Sequence, residues 1–484
     1  METREIFRNL SPLDHRYSVS EKAVFDALVP WLSEEAAIAA CLKAEAALVM
    51  AHLTLRGGES AAIRAVLEKA AAETSAGEVY AEEEKTRHNI RALVNVLKTK
   101  LPADLAPLVH LGATSVDILD SSLAFRMKGA CVHVVLPALK KLERQLCDFT
   151  MREAETPQVG RTHGQHAVPI TVGFAAAEYV ARLGKSIIEI ERLSNQLKGK
   201  LAGAAGAYNA TSMMYGDPEE LERVYLAGLG LEPSEHSTQL VEPEYLLRLL
   251  LEYNTAFGII ANLADDLRNL QRSEIDELRE GFTAEQVGSS TMPQKRNPWN
   301  SEHVKSLWKA FMPRVVSFCM DQISEHQRDL SNSASQRFAA DFITGFCMAL
   351  SRMSQVIESL GVNREKCLAN LQSGGGVAGG ILAEPAYILL AESGVSAAHE
   401  IIRKITLAAE EQKISFAAAL AREPDTLGAI AAQLEKLTYI KSDGTESGLK
   451  SAALAWFENP GQYRGLAVKK AKELAVKYRK YLAR

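Results

Sequence analysis

Apolar residues return along most of this chain at intervals of three and four, the period of a helix that buries one face. The clearest run lies between Glu244 and Glu280, which holds no proline. There Leu246, Leu250, Tyr253, Phe257, Ile260, Ala264 and Leu267 form one stripe, and Leu247, Leu251, Ile259 and Leu263 a second. One helix over that span would be ~55 Å long at 1.5 Å per residue. A helix apolar on two faces packs inside a bundle, and the pattern predicts that one subunit cannot cover both stripes, hence a core shared between subunits. Residues 20–100 read as helices broken at "RGGES" and closed by Pro102. From Asp117 the predicted helices lengthen, with Asp117 and Asp120 as candidate caps and Pro169 near the start of the next. Beyond Asn363 they shorten around "QSGGGVAGGILAEP". Three domains follow from these changes: 1–111, a central long-helix bundle over 112–364, and 365–484.

Composition narrows what such a chain can do. Apolar residues make up 47% of the 484, charged ones 24% and aromatics 6%, a balance that favours an all-α protein with more than one core. The net charge of −5 is interspersed, so no basic face is available for a polynucleotide. Six scattered cysteines without a C-x-x-C pair read as buried thiols in a reducing, cytoplasmic setting. The start lacks an apolar leader, and no run reaches ~18 uninterrupted apolar residues, so neither export nor a membrane span is predicted.

Two motif matches have bland explanations. Gly374, Gly376 and Gly379 satisfy G-x-G-x-x-G, but the preceding "NREKCLANLQS" is helical in pattern rather than a buried strand, so the glycines read as a junction. His163 and His166 have a metal-like spacing, yet no nearby cysteine or acidic cluster completes a coordination shell.

Four polar islands interrupt the helical pattern: "RHNIRALV" at 87–94, "HLGATSVDILDSS" at 110–122, "VGRTHGQHAVPITVG" at 159–173 and "GSSTMPQKRNPWNSE" at 288–302. Each sets hydroxyl, imidazole or amide groups beside glycine. Taken singly, Thr114, Ser115 and Asp117 serve as helix caps, His163 as a turn residue, and Lys295 and Arg296 as solvated charges. Four such islands leading into or between long helices point instead to a ligand site.

These residues carry a resemblance. "GSSTMPQKRNP" resembles the signature loop of the fumarase/aspartase superfamily, and "GATSVD" and "GRTHGQHAVP" resemble its other two characteristic regions, in the same order. Within that superfamily the chain is most similar to the adenylosuccinate lyase family, through "SPLDHRY", "KTRHNIRALV", "STQL" and "HQRDLSNSASQR", over residues 11 to about 420. The resemblance implies a three-domain fumarase/aspartase-like fold, active sites built from three subunits of the homotetramer that the striped helices predict, and no metal or organic cofactor. Asn89 stands where those enzymes usually carry Asp, Gln294 where His is frequent, and Ile170 where Thr is frequent.

The implied reaction explains the residue types. Splitting a succinyl C–N bond removes a proton beside a carboxylate and loads a second negative charge onto that carboxyl group. Preorganised donors and a cation must hold the charge, with a base for the carbon and an acid for the nitrogen. By resemblance Ser289 is the base and His163 the acid, supported by His88; Lys295 and Asn297 hold the carboxylates with Thr114, Ser115 and Ser290. Arg16, Tyr17, Arg328, Ser333 and Arg337 would grip the nucleotide phosphate and ribose, Gln239 the succinyl or base portion, and Arg87 and Asn89 would join the substrate contacts. The glycine-led loop at 288–302 is expected to act as a lid. Two alternatives stay open: a sister lyase acting on another fumarate adduct, of argininosuccinate or aminopolycarboxylate type, and a non-catalytic structural relative.

Overall fold

The computed structural model of the chain describes residues 5–282, 285, 288–329 and 331–483. Helix accounts for 66% of it, and the strands among the described residues are short. β1 (Pro157–Thr162) pairs antiparallel with β2 (Gln165–Thr171), and two further two-residue pairs join Lys198–Gly199 to Glu232–Pro233 and Leu278–Arg279 to Gly361–Val362. The fold is all-α, as the periodicity predicts.

Two compact units divide the chain. The first comprises residues up to Lys141, Lys185–Ala261 and His303–Arg352. Its helix Glu34–Leu55 starts at Ser33, whose hydroxyl accepts the Ala36 N–H at 3.1 Å, and buries Leu42, Ala44, Leu48 and Val49. It packs on the helices Ser115–Ala130 and Pro218–Ala227. By length and composition the stretches Lys22–Leu55 and Ser115–Arg152 are apolar enough to cross a membrane, but they also supply core residues, as the helices of a packed bundle do.

The second unit comprises Leu142–Gly184, Asn262–Glu302 and the residues from Met353 onwards. Leu382, Phe416, Leu420, Ile430, Leu434 and Phe457 build a core of their own there. The glycine stretch is a tight junction between the helices Arg364–Gln372 and Ala383–Glu392. Gly375 has φ +87°, and a Cβ on it would lie 2.4 Å from the Ile381 nitrogen.

Several sequence expectations are corrected. The long helix is Glu244–Leu270 and stops there, ~40 Å long at 1.5 Å per residue. The following residues fold back, with the Glu277 N–H on the Leu270 carbonyl at 3.0 Å and Asp276 at φ +49°. Most of both stripes is covered within the chain: Leu247, Tyr253, Phe257, Ile259, Ile260, Leu263, Ala264 and Leu267 are all buried, and only Leu251 of the two stripes is exposed. Phe346 closes on Tyr253 and Phe257, with ring centroids 5.7 and 5.3 Å away. The stripes therefore do not by themselves require a second subunit. Pro169 lies within β2 opposite Val159, and the next helix starts at Val172. Asp120 caps no helix; its carboxylate receives the Val241 N–H at 3.0 Å. Of the six thiols, Cys319 is exposed and the other five are buried.

Candidate active site

In the second unit, residues 288–298 of the segment 288–302 form a loop shaped by its own backbone, and the rest opens a helix. A Cβ on Gly288 would stand 2.1 Å from the Lys295 carbonyl oxygen, so only glycine lets the two ends meet. Asn297 Nδ2 donates to the Gly288 carbonyl at 2.9 Å and closes the loop across its neck. At its far end Glu280 accepts the Ser301 N–H at 2.8 Å and the Asn300 N–H at 3.3 Å, a carboxylate at the N-terminus of the helix Trp299–Phe311. Arg296 is stacked over Phe282, 5.2 Å from the ring centroid, and its carbonyl accepts from Gln271. Ser290 and Lys295 are exposed on this loop, together with Thr291, Met292, Pro293 and Gln294 between them.

Ser289 is half-buried, and its Oγ accepts the N–H groups of Met292 at 3.1 Å and Thr291 at 3.4 Å. Two N–H dipoles aimed at a hydroxyl oxygen favour its negatively charged form, which is what a serine acting as base requires. His163 belongs to the same unit and sits at the tip of the β1–β2 hairpin. His163 and Gly164 form its two-residue turn, with φ +53° and +75°, the left-handed pair that matches hairpin twist. The ring is thereby carried out on an exposed finger. His166, three residues on, is held below its ordinary pKa by burial and by Arg161, with Glu277 opposing.

In the first unit the predicted residues fall into separate groups. Thr114 and Ser115 open the helix Ser115–Ala130, where Asp117 reaches back to take the Thr114 N–H at 2.7 Å. Asp117 also accepts from Ala202 and Gly203 N–H groups at 3.2 and 3.3 Å and pairs with Lys200; both side chains of that pair are fully buried. Gly206 continues this second loop and touches a third, since a Cβ there would lie 1.8 Å from the Ser237 carbonyl oxygen. Gln239 follows two residues later, and its N–H meets the Gln327 carbonyl at 3.4 Å, beside Arg328.

Arg328 contacts Asn332, while its Nε is buried without a hydrogen-bond partner. Burial lowers its pKa against the pull of Asp120, Asp329 and Asp321. Asp120 is in turn pushed up to about 6 by burial, offset by the Val241 N–H, Lys200 and Arg328. Arg16 is exposed and Tyr17 half-buried; the Tyr17 ring lies 5.7 Å from that of His303, whose pKa is lowered by burial, Arg352 and Arg16. His88 caps the helix Asn89–Thr99, its Nδ1 accepting the Arg91 N–H at 3.3 Å. With Nδ1 taken up by this cap, Nε2 is the ring nitrogen left for a ligand. Arg87 precedes it at φ +55°, and Asn89 Oδ1 accepts the Ile90 N–H. Ser333 and Arg337 are exposed ends of one short helix.

Residues 6–310 match a family model described as a lyase, and residues 324–441 match one described as the adenylosuccinate lyase C-terminal region. The chain is 32% identical over 405 residues to the adenylosuccinate lyase of Pyrococcus abyssi, covering 82% of this chain and 86% of that protein. The chain belongs to the adenylosuccinate lyase family of the fumarase/aspartase superfamily. The adenylosuccinate lyase of Archaeoglobus fulgidus is 31% identical over 415 residues, 84% of this chain and 88% of that one. Among solved structures, a fumarate lyase from Mesorhizobium sp. BNC1 superimposes with a TM-score of 0.78 at 20% identity, over 93% of this chain and 97% of that one. A 3-carboxy-cis,cis-muconate lactonizing enzyme from Pseudomonas putida gives 0.76 at 22% identity, over 94% and 97%. At that identity these two speak for the fold alone. Sequence reading of this lyase missed Lys200, Glu277 and His303. Lys200 lies in the glycine- and alanine-rich "KGKLAGAAGAYN", and Glu277 in a charged run that reads as more helix. His303 directly follows the signature loop and could have been suspected on that ground.

Proposed function

We propose that this chain is a carbon–nitrogen lyase of purine biosynthesis. It eliminates fumarate from adenylosuccinate to leave AMP, and from succinyl-aminoimidazole carboxamide ribotide. The observation that carries this reading is the match of both the lyase region and the adenylosuccinate-specific C-terminal region in one chain. Ser289 Oγ takes the proton from the succinyl carbon next to the one bearing nitrogen. The electron pair passes into the adjacent carboxylate, and its return forms the C=C bond of fumarate and expels the purine N6, to which His163 delivers a proton. Lys295, Asn297, Thr114, Ser115 and Ser290 hold the doubly charged carboxylate, with His88 and Gln239 orienting the substrate beside them. Arg16, Tyr17, Arg328, Ser333 and Arg337 hold phosphate and ribose, with Arg87 and Asn89 near the base. The electron sink is the substrate's own carboxylate, so the electrons balance without a cofactor.

The working form is a cytoplasmic homotetramer with sites shared between subunits. Lys295, His163, Arg16 and Arg337 all stand exposed on the single chain, whereas charge stabilisation of this kind needs a water-poor site. Phe7, Leu10, Met320 and Ile323 are also exposed and call for a covering surface.

Two variants separate the proton steps. Ser289→Ala should bind substrate and fail to turn it over, whatever the leaving group. His163→Ala should be slow on adenylosuccinate but recover on an adduct whose nitrogen departs without protonation. Rescue of the serine variant instead would reverse the assigned roles.

A further inference from the structure

The hairpin that carries His163 is exposed from Thr162 to His166, so its aim is set from its base. There the strand residues Gln158 and Arg161 converge on one carboxylate. Glu277 is fully buried and accepts Arg161 Nη2 at 2.6 Å, Arg161 Nη1 at 3.1 Å and Gln158 Nε2 at 2.7 Å. A fourth donor, Asn370 Nδ2 at 2.9 Å, comes from the helix Arg364–Gln372. The Glu277 main chain is fixed as well, its N–H on Leu270 and its carbonyl receiving the Asn363 N–H at 2.9 Å. A two-pronged guanidinium–carboxylate contact fixes angle as well as distance, which a single hydrogen bond does not. Arg161 is two residues from His163, so any tilt at this pair is amplified at the imidazole.

We infer that Glu277 is a positioning residue for the acid step: its buried carboxylate, gripped by Arg161 and Gln158, holds the β1–β2 hairpin so that His163 points at the departing nitrogen. The inference rests on the reading of His163 as the acid. Nothing in it requires Glu277 to touch substrate. Its part is the two-pronged contact with Arg161, and no proton transfer is assigned to it.

The test uses the full-length enzyme with Glu277→Gln, which keeps the shape but loses the charged two-pronged contact. Because misplacement by about 1 Å can cost about 10²-fold in rate, kcat on adenylosuccinate should fall roughly 10²-fold while KM stays within about 2-fold. The deficit should shrink on an adduct with a better leaving group, as for His163→Ala. Arg161→Lys, which keeps a cation but not the fork, should fall between, and it carries the test if the glutamine variant does not fold. Asn370→Ala, which loosens Glu277 from the helix side only, should lower the melting temperature without changing leaving-group dependence. A folded Glu277→Gln enzyme with native kcat and native leaving-group dependence, beside an impaired His163→Ala, overturns the inference. A fully active His163→Ala overturns the acid assignment itself. A loss in Glu277→Gln that is equal for both leaving groups assigns Glu277 to stability alone and also overturns the inference.

Discussion

Lys200→Met removes the cation from a pair whose two side chains are both fully shielded from solvent. Asp117 would keep the N–H groups of Thr114 at 2.7 Å, Ala202 at 3.2 Å and Gly203 at 3.3 Å, and lose its only charged partner within contact distance among the described residues. Breaking one side of a buried ion pair costs about 3–5 kcal/mol, and the three remaining N–H donors place this case near the lower end, about 3 kcal/mol. Asp117→Asn should cost a comparable amount, because Lys200 then has no anionic partner among the described residues and rests on neutral acceptors such as the Gly203 carbonyl at 3.1 Å. The double variant, with no uncompensated charge, should lose less than the sum of the two by about 1–3 kcal/mol. Urea unfolding of the four proteins gives the cycle directly. The same variants should raise KM, since the Thr114 N–H is anchored on this carboxylate. A single-variant cost below about 1 kcal/mol, or strict additivity in the cycle, would refute the view that the pair organises the Thr114–Ser115 loop.

Other consequences are as concrete. Glu143 is fully buried with neither carboxylate oxygen hydrogen-bonded, and burial pushes its pKa from the ordinary 4.5 to about 9. The folded state thus keeps a proton that the unfolded chain releases above 4.5, so this group's contribution is whole below 4.5 and is lost as pH rises toward 9, at about 1.4 kcal/mol per pH unit. Glu143→Gln should therefore melt higher than the parent at pH 8, with a smaller gain at pH 6; an equal gain at both refutes it. Gly206→Ala must adopt φ +75° and part the loop from Ser237, so it should lose stability and raise KM through Gln239. Gly203→Ala, at φ +78° with open space around it, should cost only the backbone strain of about 1–2 kcal/mol.

Helix periodicity made the bundle legible because burial of one face leaves its mark every three to four residues. What it could not show was where a helix ends when polar residues are buried for a reason. Residues 271–280 are charged and proline-free, yet they fold back because Glu277 is taken up by Arg161, Gln158 and Asn370, partners over 90 positions distant in sequence or more. The β1–β2 hairpin was hidden similarly: Thr162, His163, Gly164 and Gln165 do not spell a usual turn, and the strands are too short to alternate clearly. The chemistry-bearing loops were legible because they break the pattern and resemble a known signature. Lys200 was not, since a lysine beside glycine ordinarily means a solvated turn, and only the fold sets Asp117 against it.

The central claim is tested most directly by following purified protein with adenylosuccinate by proton NMR and comparing it with the dephosphorylated succinyladenosine. Fumarate and AMP should appear in equal amounts as adenylosuccinate disappears. The nucleoside should turn over far more slowly, because each charge-assisted contact proposed between phosphate and Arg16, Arg328 or Arg337 would be worth about 1.5–3 kcal/mol. No fumarate from adenylosuccinate would contradict the account, and equal turnover of the two would move the chain to a sister lyase that does not read the phosphate.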